Sequence, residues 1–425
     1  MTEFEDLKYL RDKLKCHQKR VKTRYMHYDM KYQDEMIGIT IPSQIRSMYR
    51  ATIGWTSKAV DSLADRLVFR AFKNDYYDMN TIFRLNNPDI FFDSAILSAL
   101  IASCSFVYIS KGDGKIPRLQ VIDASNATGR IDPITGLLSS GYAVLDRDDK
   151  GEPRVAAHFL PRKTNIYYVD ETGVVTFVEC GYYVDTGKVE TYRHNAPAPL
   201  LVPIIHRPDA VRPFGRSRIT RAAMYYQKNA KRTLERADIT AEFYSFPQKY
   251  ILGMESDAEA WDSWQATVSS MLRLDKDSEG DVPKVGQFTT SSMSPFTEQL
   301  RTAASGFAGE TGLTLDDLGF VSDNPSSAEA IKASHETLGV MARKAQRCFG
   351  SGFLNVGYLA ACLRDDFPYL RNKFYEATPK WESVFAPDAS TLSLVGDSVV
   401  KVNTAVPGYF DKEIIRDLTG IEGAD

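Results

Sequence analysis

Residues 215–247 read GRSRITRAAMYYQKNAKRTLERADITAEFYSFP, and this stretch decides the architecture. Apolar residues recur at helical spacing from Ile219 to Ala241, and no helix breaker occurs before Pro247. The pattern predicts a helix of about thirty residues, well beyond the roughly 8 to 20 residues of an ordinary globular helix. At a rise of about 1.5 Å per residue, it is about 45 Å long. We therefore expect this helix to have a special structural role.

The residues after the long helix predict a compact insert followed by more helices and a short tail. The predicted elements are, in order, a strand at 249–252, a helix at 258–272, a strand at 284–288, helices at 295–310 and 326–364, a strand at 380–384, and helices at 390–404 and 411–418. Glycine and polar residues separate the two middle helices over 312–325, which indicates a loop there.

The residues before the long helix predict helices and then a β meander. Thr2 and Glu5 have the spacing of a capping box, which begins an N-terminal helix. The other predicted elements are helices at 57–67 and 91–100, a strand at 105–110, and short strands at 118–122, 141–145, 155–160, 165–169, 174–178, 182–184 and 189–192. Turn residues separate the short strands, so we expect an antiparallel arrangement and an α+β fold class.

The composition is that of a folded protein. The chain has 425 residues, a hydrophobic fraction of 43% and a formal net charge of −3. This length corresponds to two or three domains at roughly 150 residues each, and the apolar content excludes a largely disordered chain. Affinity for nucleic acid comes mainly from phosphates neutralised by Lys and Arg. The absence of a net basic excess therefore argues against a protein that grips nucleic acid tightly.

Cysteine usage and the apolar stretches indicate the compartment. The 5 cysteines are scattered, without a CxxC pair, which is typical of reduced thiols. The acidic N-terminus does not have the pattern of a signal peptide. The most apolar stretch, 96–109, is shorter than the roughly 20 residues of a membrane-spanning helix. We expect a soluble, intracellular protein with no membrane partner.

The motifs that carry enzyme chemistry are absent or incomplete. The sequence has neither a phosphate-binding GxxxxGK[ST] loop nor HExxH, and its 6 histidines are far apart. Asp185-Thr186-Gly187 occurs once, whereas an aspartic protease needs two such carboxylates, and a hairpin turn is the better interpretation. We therefore predict a protein that is not an enzyme, with no catalytic residues, no metal and no cofactor.

Charge is segregated along the second half of the chain. The long helix is basic, whereas 255–281 and 302–331 are acidic. The N-terminal helix is also basic. A solvated face explains the charge of that helix, and contact with an acidic partner or with nucleic acid is the alternative. Its basic residues are Lys8, Arg11, Lys13, Lys15, Lys19, Arg20, Lys22 and Arg24.

A series of short motifs in a fixed order spans nearly the whole chain. The motifs are Trp55, Val60-Asp61, 64–67 ADRL, 102–107 ASCSFV, 202–205 VPII, 214–217 FGRS, Phe246-Pro247, Gly253, 283–288 PKVGQF, 310–312 ETG, 326–331 SSAEAI, Trp381, Pro387 and Lys401. This ordered series resembles the portal proteins of tailed bacteriophages, specifically the Bacillus siphophage type. Each motif alone is weak, and their order and spacing carry the resemblance.

The resemblance implies a portal-type fold with named parts. These are a helix-rich wing with an antiparallel β meander at 1–214, a first stem helix at 215–245, a small α/β clip at 246–294, a second stem helix at 295–311, a tunnel loop at 312–325, a long helix and wing return at 326–387, and C-terminal helices with a short crown at 388–425.

The resemblance also implies a function and partners. Portal subunits form a ring, usually of twelve copies, at one capsid vertex of the virion, after assembly in the host cytoplasm. Double-stranded DNA is packaged through its central channel by the large terminase and is later ejected. The further partners implied are the head-completion or adaptor protein, the major capsid protein and the scaffold.

Two sets of site residues follow as hypotheses. The channel would be lined at the tunnel loop and stem, where carboxylates repel phosphates and a few bases attract them weakly. The channel residues are Glu310, Asp316, Asp317, Asp323, Lys228, Lys231 and Arg232. The clip residues that would bind partners are Glu255, Asp257, Trp261 and Trp264.

Two other functions remain open at this stage. One is a different ring-shaped phage connector or structural protein with no role in DNA translocation, which ring stoichiometry and channel width distinguish from a portal. The other is an enzyme of phage DNA metabolism, which would need a compact acidic cluster to bind metal.

Overall fold

The computed structural model describes residues 2–33, 49–112, 114–168, 188–245, 249–252, 284–287, 292–320, 333–384 and 389–419. The helices within these ranges are α1 (Glu3–Tyr28), α2 (Trp55–Ala64), α3 (Met79–Arg84), α4 (Pro88–Ala102), α5 (Arg221–Ser245), α6 (Ser294–Thr311), α7 (Glu336–Arg364), α8 (Ala389–Ala405) and α9 (Lys412–Thr419).

The strands of the same ranges form four sheets. They are β1 (Phe69–Lys73), β2 (Cys104–Ser110), β3 (Arg118–Asp123), β4 (Ala127–Ile131), β5 (Leu138–Arg147), β6 (Pro153–Leu160), β7 (Lys163–Tyr168), β8 (Lys188–Arg193), β9 (Leu201–Ile205), β10 (Lys249–Leu252), β11 (Lys284–Gln287) and β12 (Thr378–Trp381). The mixture of helices with antiparallel sheets confirms the predicted α+β class.

Four predicted strands of the meander, β5 to β8, lie in one five-stranded sheet with the order β4-β5-β6-β7-β8, whose edge strand β4 was not predicted. Strand β3 does not join it. Instead β3 pairs with β2, and β9 pairs with the other edge of β2, to give a second sheet. The predicted strands at 174–178 and 182–184, and the predicted helix at 258–272, lie outside the described residues.

Two strands from distant parts of the chain pair beside the main hydrophobic core. β1 pairs with β12 antiparallel, with Phe72 opposite Pro379. Around them, aromatic rings from α3, α4 and α7 form a contiguous cluster in which Phe69 and Phe353 lie 5.5 Å apart between centroids. Burial of such rings is the largest favourable contribution to a core of this kind.

Helix α1 docks on the outer face of the five-stranded sheet. Its predicted capping box is present, since Thr2 and Glu5 each bond the other's backbone N–H. Leu7, Leu10 and Leu14 are buried in a second, smaller cluster with residues of β5 and β6. Beside this cluster, the buried His158 Nε2 lies 3.1 Å from Asp6 Oδ2. The helix is therefore held by apolar and polar contacts together.

The basic residues of α1 do not form a uniformly solvated face. Lys13 Nζ donates to Gly129 O at 2.6 Å, and Arg24 Nη1 donates to Ala102 O at 2.8 Å. The second bond places a cation at the C-terminal end of α4, where helix carbonyls lack internal partners. The remaining exposed bases are Lys8, Lys15, Lys19, Arg20 and Lys22.

The long helix begins later than the sequence predicts. The predicted start is residue 215, whereas α5 begins at Arg221. Gly215 has φ +72°, which no helical residue adopts, and Arg218 N donates to Leu100 O at 2.8 Å. Thr220 Oγ1 then accepts from Ala223 N at 3.1 Å, as an N-cap does. Hydrogen bonds to residues outside the helix therefore hold 215–220 in a non-helical conformation.

Candidate functional site

Helices α5 and α6 form an antiparallel pair. Near one end, Tyr226 of α5 lies against Gly306 of α6, so close that a Cβ at position 306 would overlap the tyrosine ring. At the other end, β10 follows α5 and β11 precedes α6, and these two strands pair with each other. One end of the pair therefore continues into the β10–β11 hairpin, and the other end packs against the main hydrophobic core.

The core end of the pair, where α5 begins and α6 ends, is held by one buried cation, Arg218. Its side chain is 5% exposed. It donates to Thr311 O at the end of α6, to Ala59 O in α2 at 3.2 Å, and to Met341 Sδ in α7 at 3.1 Å. Burial lowers the pKa of Arg218 to about 10; Arg207 adds to this shift and Glu310 opposes it. The guanidinium is charged at neutral pH and connects four segments.

The described part of the loop after α6 extends to Phe320. Gly312 ends α6 at φ +69°, and a 3₁₀ turn spans Asp316–Leu318. Thr314 Oγ1 and N both donate to Asp317 Oδ2 at 2.9 Å, while Asp317 N donates to Thr314 Oγ1 at 3.1 Å. This reciprocal pair has the chemistry of a capping box. His335, just before α7, lies 3.8 Å from the same carboxylate oxygen.

The predicted channel acids have different environments. Glu310 and Asp316 are exposed at the core end of the helical pair. Asp317 is only 22% exposed at its side chain and is bonded within its own turn. Asp323 lies outside the described residues. Among the acids of this set that the structure describes, Glu310 and Asp316 are therefore the two with exposed side chains.

The predicted channel bases also separate into two kinds. Lys228 Nζ donates to Tyr32 Oη at 2.9 Å and lies 4.2 Å from the centroid of that ring. Lys231 Nζ donates to Tyr32 O at 3.3 Å. Arg232, in contrast, is exposed. The two lysines therefore hold the chain segment that follows α1, and Arg232 is the base that faces solvent.

The predicted clip residues Glu255, Asp257, Trp261 and Trp264 lie outside the described residues. The two strands on either side of these residues in the sequence, β10 and β11, are described. They pair with Lys249 opposite Gln287 and Leu252 opposite Lys284. The partner-binding role of the four residues remains a prediction.

Three residues that contact the predicted site residues were not predicted from the sequence. Tyr32, Thr314 and His335 each contact a predicted site residue, and none belongs to a motif or a charge run. Only Thr314 had a local signal, because a Thr three residues before an Asp has the spacing of a capping box. The other two contacts depend on the tertiary fold.

The described ranges contain neither a metal-binding cluster nor a membrane-spanning helix. No group of three or more His, Cys, Asp or Glu side chains there has the geometry of a metal site. Among the helices of the same ranges, none combines the length and apolar character needed to cross a membrane.

Comparison with known proteins shows which proteins the chain is similar to. No protein-family model matches it. A protein named portal protein from Mycobacterium phage L5 is 26% identical over 380 residues, which cover 83% of this chain and 74% of the relative. The portal protein of Mycobacterium phage D29 is 26% identical over 346 residues, which cover 77% and 68%. The chain is similar in sequence to phage portal proteins. The predicted resemblance is confirmed.

Solved structures show a weaker likeness. A chain in the neck of an empty gene transfer agent particle is 13% identical, with a TM-score of 0.45 and coverage of 90% of this chain and 94% of its own. A chain in the neck of the native particle is 12% identical, with a TM-score of 0.44 and coverage of 94% and 99%. TM-scores this low carry no structural argument.

Proposed function

We propose that this chain is the subunit of a phage portal ring, located at one vertex of the virion capsid. The sequence similarity to portal proteins over 83% of the chain supports the proposal. The structure adds a long helical pair with a wing at one end and a hairpin at the other. The role is structural rather than enzymatic, and the ring is a homo-oligomer of about twelve copies with closed cyclic symmetry.

In this proposal α5 and α6 are the stem and the loop from Gly312 is the tunnel loop. The wing comprises 1–214 together with the return at 326–387, the clip is 246–294, and the crown is formed by 388–425. Helix α5 has 25 residues, which at a rise of about 1.5 Å gives a stem of about 38 Å. A stem of that length spans a channel wall.

The channel passes double-stranded DNA, which the large terminase packages and which later leaves by the same route. A polyanion moves freely only where its phosphates are not neutralised, because neutralisation releases counterions and produces tight binding. Exposed carboxylates at the loop satisfy this condition. Glu310 and Asp316 are the described candidates, and Asp323 is the third. Asp317 is better assigned to the internal structure of the loop.

The clip and the wing have different proposed partners. The clip contacts the terminase during packaging and the head-completion or adaptor protein afterwards. The wing contacts the major capsid protein and the scaffold during assembly.

The first part of the test is the ring itself. Native mass spectrometry and negative-stain class averages of the purified chain, alone and with capsid and scaffold proteins, should show closed rings of about twelve copies with a central hole wide enough for a duplex. Rings absent under both conditions, or rings with no hole, would refute the portal function.

The second part concerns the channel. Particles assembled with a Glu310→Lys, Asp316→Lys variant should contain much less DNase-protected DNA, although rings still form, because lysines in the channel bind phosphates. The matched control is Asp149→Lys with Glu152→Lys, which reverses two exposed acids at the turn between β5 and β6. Normal DNA content in the first variant would remove the channel assignment.

A further inference from the structure

The contact between His335 and Asp317 joins the start of α7 to the loop after α6. His335 Nδ1 lies 3.8 Å from Asp317 Oδ2, and the two side chains are 20% and 22% exposed. The same ring nitrogen is buried and has no hydrogen-bond partner among the residues that the structure describes. The distance is short enough for an ion pair and too long for a hydrogen bond. A buried nitrogen without a partner therefore faces a carboxylate.

Asp317 is also the residue that organises the loop. Its carboxylate accepts hydrogen bonds from the backbone N and the hydroxyl of Thr314, both at 2.9 Å. It lies in the 3₁₀ turn Asp316–Leu318, whose first residue is the exposed channel acid Asp316. Whatever fixes the side chain of Asp317 therefore also fixes the position of Asp316.

The turn has few other polar connections to α7. The start of the loop packs on this helix, because a Cβ at Gly312 would lie 3.2 Å from side-chain atoms of Thr337 and Met341. Beyond it, the hydrogen bonds of 314–320 to other described residues are all internal to this segment. Within the described residues, the imidazole of His335 is therefore the polar link between the turn and α7.

Other charges around the imidazole are already engaged or more distant. The charged groups of the elements that meet here are Asp316 and Asp317 of the loop, Glu310 of α6, Arg218 before α5, and Glu336 and Arg343 of α7; Asp323, Glu329 and Lys332 lie outside the described residues. Glu336 pairs with Arg343, and Arg218 is bonded to Thr311 O. His335 is the N-cap residue of α7, where the helix dipole disfavours a cation. Asp317 offsets that effect.

Histidine changes its charge between pH 5 and 8, and only the protonated ring attracts a carboxylate. We propose that His335 is a positioning residue for the channel acid Asp316. Its protonated ring forms an ion pair with Asp317 that fixes the 3₁₀ turn against α7, and the neutral ring leaves the turn less tightly held. The role of Asp316 in the channel rests on the proposed function, whereas the ion pair is a property of the single chain.

Hydrogen exchange followed by mass spectrometry tests the ion pair in the purified chain. The protection factor of a peptide covering 314–320 should rise by about two- to fivefold when the pH is lowered from 8 to 6, the effect that a partly exposed ion pair supplies. Because this factor is a ratio to the intrinsic exchange rate, the pH dependence of exchange itself cancels. A peptide from the buried part of α7, 353–362, should show no gain.

Three variants identify the groups responsible. His335→Gln should give the same protection of 314–320 at pH 8 and pH 6, and His335→Lys, which keeps a fixed cation, should give high protection at both. Asp316→Asn is the matched control, because it neutralises the exposed neighbour of Asp317 and should keep the wild-type response. No gain in the wild type, a gain that survives in His335→Gln, or a gain lost in Asp316→Asn would each overturn the ion pair.

DNA packaging tests the positioning role separately. Particles assembled with His335→Gln should contain less DNase-protected DNA than wild-type particles when packaging occurs at pH 6, and the same amount at pH 8. In an Asp316→Asn background, His335→Gln should cause no further loss, because His335 acts through Asp316. A full further loss in that background would refute positioning through Asp316. Wild-type particles without DNA would instead refute the portal function, and the exchange experiment would still decide the ion pair.

Discussion

Arg216 and Arg218 are two residues apart and have opposite environments. Arg216 pairs with Asp209 at 2.6 Å, and the two side chains are 51% and 34% exposed. Arg218 is buried and bonds backbone carbonyls of α2 and α6. Removing the charged donor of a buried carbonyl costs more free energy of unfolding than removing an exposed ion pair.

Arg218→Met should therefore lower the free energy of unfolding by about 3 kcal/mol, because Thr311 O and Ala59 O are left without this donor. Urea denaturation followed by circular dichroism measures the change. The matched control, Arg216→Met, should lower the same quantity by less than about 1 kcal/mol. Equal losses in the two variants would show that Arg218 does not hold the core end of the helical pair.

At the scale of elements, the closeness of α5 and α6 depends on Gly306. A side chain there would overlap the Tyr226 ring. Gly306→Ala should lower the free energy of unfolding by about 1–3 kcal/mol through overpacking, although alanine is the better helix former. In a Tyr226→Ala background the same change should be neutral or stabilising. This double-mutant cycle isolates the contact.

Gly309 provides the matched comparison in the same helix. A Cβ at Gly309 meets no neighbour in the single chain, so Gly309→Ala should raise the free energy of unfolding of the monomer by up to about 1 kcal/mol. The free energy of unfolding should be measured at protein concentrations too low for rings to form. If Gly306→Ala and Gly309→Ala change the free energy of unfolding alike, helix propensity rather than packing determines the effect of both substitutions.

At the scale of the whole molecule, buried histidines make stability depend on pH. Burial lowers the pKa of His206 to about 3 and that of His194 to about 4. The pKa of His158 is also lowered by burial, and the hydrogen bond to Asp6 opposes this shift. In an unfolded chain these groups bind protons near pH 6.5. Protons therefore favour unfolding in the window between pH 6.5 and the folded values.

The free energy of unfolding should accordingly fall as the pH drops from 6.5 towards 4, with a slope of about 1.4 kcal/mol per pH unit for each histidine that stays neutral in the folded state. His206→Phe should reduce this slope by about one proton. Phe349→Leu changes a ring stacked on His206 and should lower stability at every pH without altering the slope. If the pH slope of the free energy of unfolding is unchanged in His206→Phe, His206 does not contribute to the pH dependence.

Much of the fold was predictable because its signals are local. A helix was predicted at 295–310 and is observed at Ser294–Thr311, and the strand at 249–252 was predicted at its observed bounds. Helical periodicity and turn residues act within a few positions, so one sequence is enough to find them. The start of α5 was missed because bonds to α4, far away in sequence, hold 215–220 out of the helix.

The residue types of the candidate site were predictable from the sequence, whereas the burial and the partners of their side chains were not. The sequence alone determined the α+β class, the two helices that form the pair, the segregation of charge and the similarity to portal proteins. Only the tertiary structure decided that Asp317 caps its own turn, that Lys228 and Lys231 hold Tyr32, and that Arg218 is buried while Arg232 is exposed. The physical reason is that a side chain's charge belongs to its residue type, whereas its burial and its partners depend on segments that approach only when the chain has folded.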